Sequence, residues 1–186
     1  MALSLHIPPD LLERLARELA RGGRREIGGV LVGEHLGPNT FRIVDLSVQR
    51  QGGEAACFVR RPAAHKAFLD AFFRRTGEDY GRFNYLGEWH SHPSFSTDPS
   101  VTDVRQMFEI VSDTSDAPPF AVLLIVRLAA SDRVICGATA FRSTGVAEAA
   151  TLVVQPRLEG EALLPPTGWF ARLFGAPGRK PSVRLI

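Results

Sequence analysis

Two strand-length segments, Phe120 to Ala129 and Arg133 to Arg142, are separated only by Ala130, Ser131 and Asp132. A connection that short can join antiparallel strands only, because parallel neighbours need a crossover of a dozen or more residues. A second hairpin lies upstream. The glycine-bearing strand from Glu26 to Gly33 is followed by the turn Gly37-Pro38-Asn39 and a partner strand from Thr40 to Gln49. Shorter strands are expected around Cys57 to Val59, at Asn84 to Trp89 and at Ala150 to Gln155.

Helical periodicity alternates with these strands. Leu11, Leu12, Leu15, Ala16 and Leu19 recur at helical spacing behind Asp10 as N-cap, and Gly22-Gly23 ends the run. Pro62 opens a second helix with Ala64, Phe68, Ala71 and Phe72 on its apolar face, ending near Thr76-Gly77. A third is expected from about Ser100 to Val111. The class is therefore α+β, a curved mixed or antiparallel β-sheet flanked by helices. Residues 1–157 read as one domain. Residues 158–186, rich in proline and glycine, read as a C-terminal appendage whose Trp169-Phe170 and Leu173-Phe174 pairs are expected to dock on that domain.

Composition excludes several function classes. At 186 residues with 45% hydrophobic and 23% charged side chains, the chain can bury a core without disulfides or structural metal. Its longest apolar run, Phe120 to Val126, falls well short of the roughly 18 residues a membrane span needs. The net charge is +2, with +3 from Arg157 onward and −1 before it, which argues against nucleic-acid binding. Cys57 and Cys136 form no CxxC pair and read as buried free thiols in a reducing compartment. The first residues lack a basic region followed by an apolar one, so the cytoplasm is the expected location.

Chemistry concentrates in one stretch. His90 and His92 are two apart at the end of a predicted strand, where period-two geometry sends both imidazoles to one face. Two neutral imidazoles make half of a tetrahedral zinc site. Asp103, 11 residues on and in the first turn of the next helix, is the natural third ligand. Two neutral ligands and one carboxylate leave a Zn²⁺ site with residual positive charge, which acidifies a bound water. A hydrolase then needs a base. Glu26 and Glu34 are upstream candidates, with Glu88 and Asp98 close in sequence, and spacing favours Glu26. Each feature also has a plainer meaning. Ser100-x-x-Asp103 is an ordinary capping arrangement, and His-x-His is often only a hydrogen-bonded pair. His35 and His65 read as structural. The conjunction of these residues favours the metal.

Glu26 with Gly28-Gly29-Val30-Leu31-Val32-Gly33, then Gly87-Glu-Trp-His90-Ser-His92-Pro93, then Ser100-x-x-Asp103, resembles the JAMM (JAB/MPN/Mov34) zinc metalloprotease motif, and most closely its bacterial JAB branch. The resemblance covers about residues 10–145. It implies a curved sheet between helices with cytidine-deaminase-like layering. It also implies one zinc per chain on His90, His92 and Asp103, Glu26 as general base and Ser100 as oxyanion stabiliser. The implied reaction is hydrolysis after the C-terminal glycine of a ubiquitin-like protein, in deconjugation or precursor processing. E1/E2-like enzymes of antiphage operons are partners by the same implication. Two other readings compete: a non-catalytic protein-binding scaffold of the same fold, and a metallopeptidase for a sulfur-carrier precursor or other small peptide.

Overall fold

The computed structural model describes residues 2–157, apart from 51, 52, 55, 56, 59, 60, 113–116 and 130–132. The expected appendage with its aromatic pairs, the 130–132 turn and the side chain of Cys57 lie outside the described residues. In chain order the elements are β1 (Ser4–Ile7), α1 (Pro9–Gly22), β2 (Gly28–Gly37), β3 (Thr40–Leu46), β4 (Gly53–Glu54) and β5 (Cys57–Phe58). Then follow α2 (Pro62–Arg75), β6 (Phe83–Ser91), α3 (Val101–Ser112), β7 (Phe120–Leu128), β8 (Val134–Arg142), β9 (Ala147–Ala149) and β10 (Thr151–Val154).

Both expected hairpins are present, β2 with β3 and β7 with β8, in antiparallel register. The sheet is nonetheless mixed, because β6 pairs parallel to β7 and β1 pairs parallel to both β3 and β10. The eight strands run β10-β1-β3-β2-β6-β7-β8-β9. The outermost strands, β9 and β10, are consecutive in the chain. Ala150 between them donates its N–H to Ala138 O at 2.9 Å, and Thr151 donates to Leu3 O at 2.8 Å. The sheet thus curls until one short segment bridges its two edges, which leaves few unpaired edge groups. The strand expected at Ala150 to Gln155 is β10, and β9 just before it was not expected.

β1 went unread in the sequence although it alternates cleanly: Leu3, Leu5 and Ile7 are buried, Ser4 and His6 are not. Its partners are distant in sequence, so no local turn announces it. The start of α1 also differs from expectation. Pro8 occupies the N-cap position, Pro9 opens the helix and no side chain caps it. Proline fits there because its fixed φ suits the first turn and its missing N–H would have had no helical partner. Asp10 instead accepts hydrogen bonds from the Arg157 guanidinium. In α2, Ala64 is exposed, whereas His65, Phe72 and Phe73 are buried.

α1 covers one face of the sheet, placing Leu11, Leu15 and Leu19 against Leu31, Leu86, Trp89 and Leu124. α3 covers the other with Met107 and Val111 against Val30, Tyr85, Leu123 and Ile125, and α2 adds Phe72 and Phe73 over Val32. A bulge in β6 lets residues three apart share a face: Gly87, at φ 142°, shifts the register so that Leu86 and Trp89 both face α1. At Gly29 a Cβ would collide with the Ser47 carbonyl, the same oxygen that accepts the Trp89 indole N–H at 2.8 Å. These contacts clamp β2 and β6 together where they carry the site. Among the described residues, no helix is long and apolar enough to cross a membrane.

Candidate metal centre

β6 delivers both histidines to the α3 side of the sheet. His90 lies in register with Gly28 on β2 and Ile125 on β7, and the His92 N–H donates to Val126 O at 2.9 Å. Asp103, in the first turn of α3, closes over them. His90 Nε2 and His92 Nε2 are 3.1 Å apart, and Asp103 carboxylate oxygens lie 3.5 Å from the first and 3.8 Å from the second. A tetrahedral zinc with bonds of about 2.0–2.1 Å would space its ligand atoms roughly 3.3 Å apart. The two imidazoles stand at about that spacing, with Asp103 Oδ1 nearest His90 and Oδ2 nearest His92, so the three side chains are gathered closely enough to hold such an ion. It is the His/Cys/Asp/Glu group able to hold a metal among the described residues.

Both rings suit that role. Burial pushes His90 down to about 4, with the Asp103 charge opposing and His92 reinforcing the shift, so the imidazole is neutral at pH 7 and keeps a lone pair. His92 Nδ1 lies 2.7 Å from Ser96 O. A carbonyl only accepts, so Nδ1 carries a proton, and Nε2 is the ring nitrogen turned towards Asp103.

Ser100 and Asp103 form a reciprocal capping box. The Ser100 N–H donates to Asp103 Oδ2 at 2.7 Å, and the Asp103 N–H donates to Ser100 Oγ at 3.2 Å. Cap and ligand were alternative meanings in the sequence. Here one carboxylate caps the helix and also stands 3.5 Å from one imidazole and 3.8 Å from the other.

Glu26 sits just before β2. The Ile27 N–H donates to Ser91 Oγ at 3.0 Å, and the Ser91 N–H donates to Ile27 O at 2.8 Å. Continuing that register sets Glu26 opposite His92 and on the same face, beside Gly28, which presents no side chain next to His90. Glu26 is buried, at 5% exposure. The other candidate bases are placed differently. Glu34 lies towards the far end of β2, bonded to the guanidinium groups of Arg42 and Arg82. Although burial alone would raise its pKa, those two arginines bring it below the usual carboxylate value. Glu88 shares the histidine face but is buried behind it, 3.5 Å from the Tyr85 hydroxyl. Asp98 is exposed on the 93–100 connection.

The remaining histidines are not in the cluster. His65 is buried with Nδ1 2.8 Å from Ser47 Oγ, and His35 is exposed and stacks on Phe41. Cys136 is a half-buried free thiol that burial pushes up to about 11. Sequence reasoning missed the Ser96 carbonyl, and had to, because a backbone acceptor leaves no mark in residue type.

A model of prokaryotic homologs of the JAB domain matches residues 8–143. A CD-NTase/cGAS isopeptidase of Vibrio cholerae is 38% identical over 93 residues, covering 48% of this chain and 57% of that protein. Another, of Enterobacter hormaechei, is 28% identical over 123 residues, covering 63% and 65%. A probable metalloprotease, y4qB of Sinorhizobium fredii, is 25% identical over 126 residues, covering 64% and 73%. The matches thus span less than two thirds of either isopeptidase. The solution structure of protein DSY2949 from Desulfitobacterium hafniense shares the fold, with a TM-score of 0.64 at 18% identity over 84% of this chain and 97% of that one. Since the matched segment takes in the whole histidine–aspartate cluster and the strand that faces it, the chain belongs to the family of prokaryotic homologs of the JAB domain.

Proposed function

We propose that this protein is a zinc-dependent isopeptidase or peptidase that cleaves after the C-terminal glycine of a ubiquitin-like protein. The observation that carries the reading is the convergence of His90 Nε2, His92 Nε2 and an Asp103 oxygen within 4.8 Å of one another. Zinc held by these three residues would supply Lewis-acid polarisation of a carbonyl and a water acidified towards neutrality.

The rest falls to the chain's own side chains. Glu26 removes a proton from the attacking water as its oxygen bonds to the carbonyl carbon. Ser100 donates its hydroxyl hydrogen to the carbonyl oxygen as that oxygen gains negative charge. Glu26 then returns the proton to the nitrogen as the carbon–nitrogen bond breaks, so the products are a free carboxylate and a free amine. Two exposed apolar side chains, Phe95 and Val101, border this centre at 54% and 89% exposure and offer contact area for a protein substrate. The isopeptidase names of two relatives support a protein conjugate as substrate, and the ubiquitin-like class is part of the proposal.

Elemental analysis of purified wild type and His92→Ala tests the metal, with about one zinc expected in the first and none in the second. Glu26→Gln should keep its zinc and lose about 10²–10⁴-fold in cleavage of a ubiquitin-like fusion. Undiminished cleavage by Glu26→Gln would remove Glu26 from the mechanism. No zinc in the wild type, even after reconstitution, would overturn the reading altogether.

A further inference from the structure

Gly137 has no place in the motif, yet it stands in line with it. On β8 it pairs with Ile125, which pairs with His90, which pairs with Gly28, so one row across four strands reads glycine, histidine, isoleucine, glycine. Its neighbour Ala138 packs into the α1-side core, so position 137 faces the α3 side, as His90 does. The 93–100 connection crosses that face. A Cβ at 137 would lie 2.5 Å from Thr97 O, 2.9 Å from Thr97 Oγ1 and 3.0 Å from Thr97 Cβ. Thr97 therefore occupies the space that any side chain at 137 would fill. The residue before it, Ser96, supplies the carbonyl that accepts the His92 Nδ1 proton.

We infer that Gly137 is a positioning residue for the metal centre: the notch it leaves on β8 seats Thr97, and through Ser96 sets the orientation of His92. The inference rests on the metal reading of His90, His92 and Asp103. Three contacts in sequence carry it. The strand register fixes Gly137 relative to His90. The missing side chain fixes how close Thr97 comes to the sheet. The Ser96 carbonyl then holds the ring by its second nitrogen, and loss of such outer partners typically weakens metal affinity 10–100-fold. Larger residues at 137 would lift the connection while leaving every ligand in the sequence.

The test is Gly137→Ala in the full-length protein, read by zinc affinity in chelator competition and by the NMR signal of the His92 Nδ1 proton. About tenfold or greater loss of affinity is expected, with the Nδ1–H signal lost or shifted. Wild type that binds no zinc would refute the metal reading itself. Wild type that binds zinc while folded Gly137→Ala binds it within twofold, with the signal unmoved, would refute only the positioning role. A purely structural glycine would lower melting temperature in both metal-free and metal-loaded protein but leave these two readouts in place. Should Gly137→Ala fail to fold, Thr97→Gly empties the same notch from the other side without crowding β8. A several-fold weaker zinc affinity in that variant supports the role, and an unchanged one overturns it.

Discussion

On the proposed reading Asp103 serves two tasks through one carboxylate, and substitution can separate them. In the metal-free protein it contributes as the acid half of the capping box, through the Ser100 N–H bond at 2.7 Å. Removing a cap acceptor costs about 1 kcal/mol, and removing a negative charge from a helix N-terminus about 0.5 kcal/mol more. No ion pair with His90 is lost, because burial keeps that ring neutral at pH 7. Asp103→Ala should therefore destabilise the metal-free protein by about 1.5 kcal/mol. Asp103→Asn keeps an oxygen acceptor and should cost only about 0.5 kcal/mol. Towards zinc the two variants should converge, each losing more than the roughly 100-fold expected for an outer partner, because an amide is a poor substitute for a carboxylate ligand. Urea unfolding in chelator reads the first quantity; at about 1–3 kcal/mol per molar, alanine should move the midpoint by roughly 0.5–1.5 M. Chelator competition reads the second. Equal destabilisation by Asn and Ala would refute the cap accounting, and near-native zinc affinity in Asp103→Asn would refute the ligand role.

Two further substitutions probe the frame around the site. Glu34 titrates below its ordinary 4.5 because Arg42 and Arg82 outweigh the effect of burial, so its stabilising contribution is complete above pH 4.5 and fades as pH falls through the lower folded value. Glu34→Gln should cost about 3 kcal/mol at pH 7 by removing the buried acid that Arg42 and Arg82 share, and urea midpoints should show the gap to wild type narrowing in acid; a gap that ignores pH would contradict this. Trp89→Phe removes the indole N–H from Ser47 O and leaves a small cavity in a fully buried position. It should lower unfolding free energy by about 2 kcal/mol, and a loss under about 0.5 kcal/mol would show that the Ser47 carbonyl is held by other contacts.

What could be read in the sequence was whatever is local. The two hairpins were visible because their turns are short and their strands adjoin. The helices were visible because apolar residues recur at their period. His90 and His92 were placed on one face by strand alternation alone, and Glu26 was favoured by its position before a glycine-bearing strand. β1 and the switch from β9 to β10 were not readable, since their partners lie far off along the chain. The closure through Ala150 is a property of the curled sheet and of no residue type. Asp10 misled because the proline after Pro8 already satisfies the start of α1, which removes the need for a side-chain cap.

The ambiguity at Ser100 and Asp103 has a different origin. Cap and ligand look like alternatives in a sequence, yet a carboxylate has two oxygens that point in different directions. Oδ2 accepts the Ser100 N–H and lies 3.8 Å from His92 Nε2, while Oδ1 faces His90 at 3.5 Å. The capping bond restrains the side chain with Oδ1 turned to His90, and such restraint lowers the entropy lost when the proposed ion binds. The same logic holds on the opposite side of the cluster, where the Ser96 carbonyl turns His92 by its second nitrogen. Both restraints come from the 93–100 connection and its junction with α3, so a segment with little regular structure of its own orders two of the three proposed ligands. The third, His90, is fixed by strand pairing on both sides. A centre assembled this way is sensitive to substitutions that touch no ligand, wherever they change how that connection lies on the sheet.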